Sequence, residues 1–173
     1  MARIAILTAS DKGAAGVRAD LSGDAIDRLC RAAGHEVVRR AILPDDRGML
    51  AQTLGAWCDE GIASIVVTTG GTGLTPRDVT PEATRDIADR DVPGIPIALA
   101  IGGLRKTPFA ALSRGVAVTR GNTLVVNLPG STKAVEEGMA VLLPLFDHVA
   151  ELLAGPVEHD GPAAVAEGSE RAG

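Results

Sequence analysis

Runs of apolar, largely β-branched residues alternate along this chain with stretches whose apolar residues recur at helical spacing. That alternation is the strongest constraint on the fold. A buried strand followed by an amphipathic helix must cross back over its own sheet, which gives an α/β layered domain. Ala2–Thr8 reads as a first strand, covered on both faces because its apolar residues hardly alternate. Leu21, Ala25, Leu29 and Ala32 then fall on one helical face, and Gly34 stops that helix. Val37–Leu43 is a second strand closed by Pro44, and Leu50, Leu54 and Trp57 mark a helix ending at Gly61. Ile62–Thr68 is the cleanest β-branched core run. Thr80 with Pro81 predicts a helix start, the hydroxyl as N-cap and the proline at the first helical position. Ile97–Arg105 is a glycine-weakened helix. Val116–Thr119 and Thr123–Leu128 flank Arg120-Gly121-Asn122, a three-residue hairpin link that places one antiparallel strand in a parallel sheet. Ser131 caps a last helical region, kinked or restarted at Pro144.

The expected fold class is therefore α/β, a three-layer sandwich with a mostly parallel sheet and one antiparallel strand. Residues 1–155 form one domain. Residues 156–173, rich in Ala, Gly and Glu without periodicity, are expected to be a disordered tail.

Composition narrows the function. A formal charge of -5 argues against a nucleic-acid surface, and 2% aromatic residues leave few platforms for stacked bases. Cys30 and Cys58 belong to no CxxC pair and read as buried thiols. His35, His148 and His159 are scattered, so a zinc site is not expected. No apolar run approaches bilayer length and no signal-type segment is read at the N-terminus, so a cytoplasmic protein is expected.

Chemistry is expected beyond the carboxyl ends of the strands, where doubly wound sheets open a crevice. Thr8–Gly16, Pro44–Asp46, Thr68–Thr80 and Asn127–Lys133 lie there, and all are rich in glycine, hydroxyls or aspartate. Gly70, Gly71 and Gly73, with Thr72 between them, let the backbone take positive φ and turn successive N–H groups toward one anion. A plain tight turn is the alternative for glycines alone. Asn127-Leu128-Pro129-Gly130-Ser131-Thr132-Lys133 is a second strand–glycine–helix junction, adding hydroxyls and an ammonium. The phosphate-loop pattern GxxxxGK[ST] is absent, and Gly71-x-Gly73-x-x-Pro76 breaks the dinucleotide fingerprint. Two anion cradles suggest a substrate with phosphates at two places. Asp45 and Asp78 follow different strands, and over one cleft they would suit a shared Mg²⁺, which takes one or two carboxylates and keeps its waters.

The run Thr69–Thr84, containing Arg77-Asp78-Val79-Thr80-Pro81-Glu82-Ala83-Thr84, strongly resembles the signature of the molybdenum cofactor biosynthesis family. Ser10-Asp11, Leu43-Pro44-Asp45, Leu112-Ser113-Arg114 and Asn127-Leu128-Pro129-Gly130 match in the family's order, over about residues 2–155. Within it, the chain is most similar to the stand-alone molybdopterin adenylyltransferases. The resemblance implies Mg-ATP-dependent adenylylation of molybdopterin with release of pyrophosphate. It implies Asp45 and Asp78 for catalysis and Mg²⁺ positioning, and Gly70, Gly71, Thr72 and Gly73 for the nucleotide phosphates. Ser10, Ser113, Arg114, Asn127, Pro129, Gly130, Ser131 and Lys133 would contact the pterin substrate. A homotrimer is implied as well, with the pathway's metal-insertion protein as a partner. The family usually has Glu and Arg where this chain has Ile97 and Ala100, so a non-catalytic, molybdopterin-binding paralogue or scaffold stays open as the alternative. The metal-insertion step itself belongs to longer, multidomain chains.

Overall fold

The structure, a computed structural model, describes residues 1–155; the tail expected over 156–173 lies outside the described residues. In chain order the elements are β1 (Arg3–Ala9), α1 (Asp11–Ala14), α2 (Leu21–Ala32), β2 (Glu36–Leu43), α3 (Arg47–Asp59), β3 (Ile65–Thr69), α4 (Thr80–Asp86), β4 (Arg90–Asp91) and α5 (Gly94–Leu104). A 3-10 turn over Pro108–Leu112 leads to β5 (Ala117–Arg120), β6 (Thr123–Leu128) and α6 (Thr132–Leu142). A second 3-10 turn, Leu143–Leu145, precedes α7 (Phe146–Leu153). The restart expected at Pro144 is that second turn.

The sheet runs β2-β1-β3-β6-β5-β4, with β2, β1, β3 and β6 parallel and β5 antiparallel to both of its neighbours. The single reversed strand is as expected. Element bounds differ from the sequence reading, with β3 starting at Ile65 rather than Ile62 and α5 at Gly94 rather than Ile97. Arg120 pairs with Thr123, so the hairpin link is only Gly121-Asn122 with Gly121 at φ 51°. The two-residue strand β4, too short for any periodicity, closes the far edge.

Side chains alternate between two cores because successive strand residues face opposite sides. Ile4 and Ile6 of β1 with Ile65 and Val67 of β3 pack under α2 and α6 against Ile26, Met139 and Phe146. Ala5 and Leu7 with Val66 pack on the other face against Leu50, Leu54 and Trp57 of α3. Three layers result. Cys30 and Cys58 are both buried, one in each core, and burial raises both thiols, to about 12 and about 11. β2 is an edge strand only partly covered, its Arg39 and Arg40 marking the exposed border.

This topology positions the site. From β1 the sheet grows to one side through β2 and to the other through β3, and at such a switch point the following loops splay apart and leave a crevice. The four parallel strands deliver the loops after β1, β2, β3 and β6 to one edge.

Candidate active site

The loop from β3 into α4 holds the first glycine junction. Gly70 and Gly71 adopt φ 88° and 63°, the left-handed region that penalises side chains, whereas Gly73 does not. A Cβ on Gly70 would collide with the Ala9 carbonyl oxygen at the end of β1, so the loop lies in the switch point itself. A Cβ on Gly71 would meet Thr80 Oγ1 and stand 3.1 Å from Asp45 Oδ1. Thr80 is not the N-cap expected from the sequence. It is the first residue of α4, with Val79 as the flanking residue, and its N–H donates to the Gly71 carbonyl at 3.0 Å. The Thr80 hydroxyl is fully buried and has no hydrogen-bond partner among the described residues.

The second junction follows β6. Ser131 caps α6 as expected, its Oγ accepting from the Ala134 N–H at 3.2 Å. The Thr69 hydroxyl donates to the Pro129 carbonyl at 2.8 Å. A Cβ on Gly130 would stand 3.2 Å from the Gly70 Cα, so the two glycine junctions touch backbone to backbone.

The loop after β2 brings Asp45 to the same place. Asp45 and Asp11 exchange bonds: the Asp45 N–H donates to Asp11 Oδ1 at 3.0 Å and the Asp11 N–H to Asp45 Oδ2 at 3.1 Å. Arg77 closes on Asp11 through two N–H groups, at 2.8 and 3.2 Å, and holds the Asp11 carboxyl below its ordinary range. Burial pushes the Asp45 carboxyl up, and the charges of Asp11 and Asp78 add to this against the pull of Arg77 and the Asp11 hydrogen bond. For Asp78 burial also works upward. Its hydrogen bonds from the Thr75 hydroxyl and N–H, at 2.7 and 2.9 Å, together with those from Gly73 and the charge of Arg114, outweigh it and hold the carboxyl low.

Two cavities meet over these loops. One, of about 400 Å³, is polar and is lined by Ser10, Arg18, Asp20, Asp45, Arg77 and Asp78 among others. The other, of about 540 Å³, has walls from Leu99, Ala100, Phe109 and Leu112 and reaches Ser113, Asn127 and Pro129. They share Gly70, Gly71, Asp78, Gly130 and Ser131. Thr72 and Gly73 line the apolar lobe only.

Three residues that the resemblance assigns to the substrate have other placements. Lys133 is exposed and lines neither lobe. Arg114 lines neither lobe: its guanidinium donates to the Gly73 carbonyl at 2.7 Å, the Asp78 carbonyl at 2.6 Å and the Glu82 carboxylate, clamping the glycine loop from behind. Asn127 touches the apolar lobe, but its amide is spent internally. Nδ2 donates to Thr68 Oγ1 and Thr84 Oγ1, both at 2.9 Å, and Oδ1 accepts from the Val116 N–H. Of the two departures from the family pattern, Ala100 lies on the lobe wall, while Ile97 is exposed and outside it. The sequence reading missed Arg77 as a lining residue, although it immediately precedes Asp78. It also missed Arg18, Asp20 and Glu137, which carry no motif signal.

A divalent cation fits the polar lobe. Among the described residues no group of three or more His, Cys, Asp or Glu side chains stands ready as a metal cage. Asp45 and Asp78 supply two carboxylates whose mutual repulsion a cation would relieve, whereas the Thr80 hydroxyl is fully buried and lines neither lobe. Mg²⁺, which retains waters and phosphate ligands, suits that donor set; an ion needing a full protein cage does not.

The family model described as "Probable molybdopterin binding domain" matches residues 5–148. The chain belongs to this molybdopterin-binding family. It is 36% identical over 179 residues to the molybdopterin adenylyltransferase of Escherichia coli K12, covering 95% of this chain and 91% of that protein. The molybdenum cofactor synthesis protein cinnamon of Drosophila melanogaster is 41% identical over 116 residues, which are 67% of this chain but 19% of that longer protein. Among solved structures, the molybdopterin biosynthesis enzyme MoaB of Thermus thermophilus superposes with a TM-score of 0.84 at 46% identity, covering 90% of this chain and 98% of that one.

Proposed function

We propose that this chain transfers the adenylyl group of ATP to molybdopterin. A terminal phosphate oxygen of molybdopterin attacks the α-phosphorus of ATP; the new O–P bond forms as the bond to the β-phosphate bridging oxygen breaks, and pyrophosphate leaves. The observation that carries this reading is the shared rim of the two lobes. Reaction between two phosphorylated ligands requires both phosphates at one point, and Gly70, Gly71, Asp78, Gly130 and Ser131 belong to both lobes.

The chain's own groups do the positioning on which phosphoryl-type transfers depend. The Gly70 N–H is taken by the Leu128 carbonyl and that of Gly73 by the Asp78 carboxylate, so of the glycine loop it is Gly71, on the shared rim, and Thr72 beside it that would offer N–H groups to the phosphates. Arg77 and Arg18 put positive charge in the polar lobe, toward the polyphosphate. Ser113, Pro129, Gly130 and Ser131 line the way from the apolar lobe to the rim, where the pterin substrate lies. Ser10, which caps α1 through the Gly13 N–H, lines the polar lobe instead. Asp45 and Asp78 would hold Mg²⁺, which when bound neutralises phosphate charge. A phosphate nucleophile is ionised at neutral pH, so no strong base is needed and neither aspartate is assigned that task.

The polar lobe and its aspartates favour catalysis over the binding-only alternative, because a carrier of molybdopterin has no use for a second, cation-ready lobe. We extend the proposal to a homotrimer in the cytoplasm, in contact with the pathway's metal-insertion protein. Ile97, Ile101 and Phe109 are exposed at 58%, 52% and 75% along α5 and the turn after it, an apolar face that subunit contact would cover. No helix among the described residues is long and apolar enough to cross a membrane. The test is anaerobic incubation of the protein with molybdopterin and Mg-ATP, followed by mass analysis. Adenylylated molybdopterin with stoichiometric pyrophosphate is expected; tight pterin binding without product would transfer the assignment to the carrier.

A further inference from the structure

Two successive glutamates on α6 have opposite surroundings. Glu136 pairs outward with Arg28 at 2.8 Å, both side chains being largely exposed. Glu137 is half-buried and lines the apolar lobe. Among the described residues its carboxylate has no hydrogen-bond or ion-pair partner. Apart from Asp78 on the shared rim, it is the charged side chain of a lobe otherwise walled by Leu99, Ala100, Phe109, Ala110 and Leu112. The wall around it is held closely. A Cβ on Gly138 would stand 2.7 Å from Leu128 Cδ2, and one on Gly103 would stand 2.7 Å from Ala110 Cβ, so backbone and side chains meet without slack. A carboxylate kept in such surroundings without a partner has unspent acceptor capacity directed at whatever fills the lobe.

We propose that Glu137 is a specificity-determining residue that reads the heterocycle seated in the apolar lobe. This rests on the adenylyltransferase reading and names which ring lies in which lobe. A 2-amino-4-oxopteridine presents two adjacent donors, the ring N3–H and the exocyclic 2-amino group, in the same side-by-side arrangement that lets a guanidinium engage both oxygens of a carboxylate. Adenine presents one amino group beside an acceptor nitrogen, which a carboxylate repels. Glu137 therefore selects the pterin for the apolar lobe and turns adenine away from it, leaving the nucleotide to enter from the side of Asp45 and Arg77. A site that turns a half-buried acceptor on a ligand donor disfavours the analogue lacking that donor, because the acceptor is then left facing the ligand unpaired.

The experiment compares pterin with lumazine, which carries oxygen in place of the 2-amino group, by fluorescence titration of the full chain. Wild type, Glu137→Gln and Glu137→Asp are measured, with Mg-ATP binding as the control. Wild type should prefer pterin by about tenfold or more. Glu137→Gln should bring the two ligands to within about twofold while ATP affinity stays unchanged, and Glu137→Asp, which keeps the charge on a shorter arm, should retain part of the preference. A wild-type protein indifferent to the amino group, or a Glu137→Gln variant that keeps the preference or loses ATP instead, overturns the proposal. Product formation in the adenylylation assay separates the two readings. Wild-type product with an unchanged pterin preference in Glu137→Gln refutes the role of Glu137 alone, whereas absence of product refutes the transferase reading beneath it.

Discussion

Gly130 lies against Gly70, with room for only 3.2 Å between the Gly70 Cα and any Cβ placed on Gly130. Two loops far apart in sequence thus close on one point, the rim shared by the two lobes. Gly70 also lies hard against the Ala9 carbonyl at φ 88°. Gly70→Ala should cost about 2 kcal/mol or more in urea unfolding, from left-handed strain plus the collision. Gly34→Ala is the matched control: it has φ 83° but nothing within 4 Å, and should cost only about 1 kcal/mol. Equal costs would mean that the approach to Ala9 is not a real constraint.

Arg114 acts through the loop it holds. Arg114→Ala removes its bonds to the carbonyls of Gly73 and Asp78, which is expected to cost about 1–2 kcal/mol of stability and to raise the KM for ATP more than it lowers kcat. Arg114→Lys should recover little, because one ammonium cannot span two carbonyls and the Glu82 carboxylate. Unchanged ATP kinetics in Arg114→Ala would remove this bracing role.

Asp45 is placed at a cost to stability. Its native carboxyl is pushed above the ordinary 3.8, first by burial, so ionisation works against the fold. Its contribution is full below the unfolded value and declines as pH rises through the raised native value. Asp45→Asn should therefore leave the Tm at pH 7 unchanged or raised, while adenylylation falls by about a hundredfold or more. A large drop in Tm would assign Asp45 to structure instead.

The pair predicts an asymmetric response to acid. Asp78, held below 3.8, stabilises the fold above its unfolded value and loses that contribution as pH falls through the lower native one. Asp45 gains its proton first, at a pH above 3.8, where Asp78 is still charged. Activity should thus decline on acidification before unfolding begins. Parallel pH profiles of turnover and circular dichroism check this; coincident transitions would contradict it.

Features set by neighbours in sequence could be read from the sequence. Ser131 caps α6, Gly34 ends α2 at φ 83°, and the β-branched run of β3 is a fully buried central strand, because each depends on local conformation and hydrophobic pattern. Partners distant in sequence decided the rest. Asn127 resembles a binding residue until Thr68, Thr84 and Val116 are found around it. Arg114 resembles a phosphate ligand until Glu82 and two carbonyls claim its guanidinium. Thr80 has the composition of an N-cap, but Val79 takes that place, its carbonyl accepting from the Ala83 N–H, and the Thr80 hydroxyl accepts from no helix N–H. Glu137 gives no signal in a chain without the cavity wall opposite it.

Pyrophosphate release by Asp78→Asn, compared with wild type under anaerobic conditions with molybdopterin and Mg-ATP, tests the account most directly. The substituted amide keeps a side-chain oxygen for the Thr75 bonds but lacks the charge at the junction of the two lobes. The account predicts a folded protein that still binds pterin and releases no pyrophosphate above background. Turnover at the wild-type rate would contradict it.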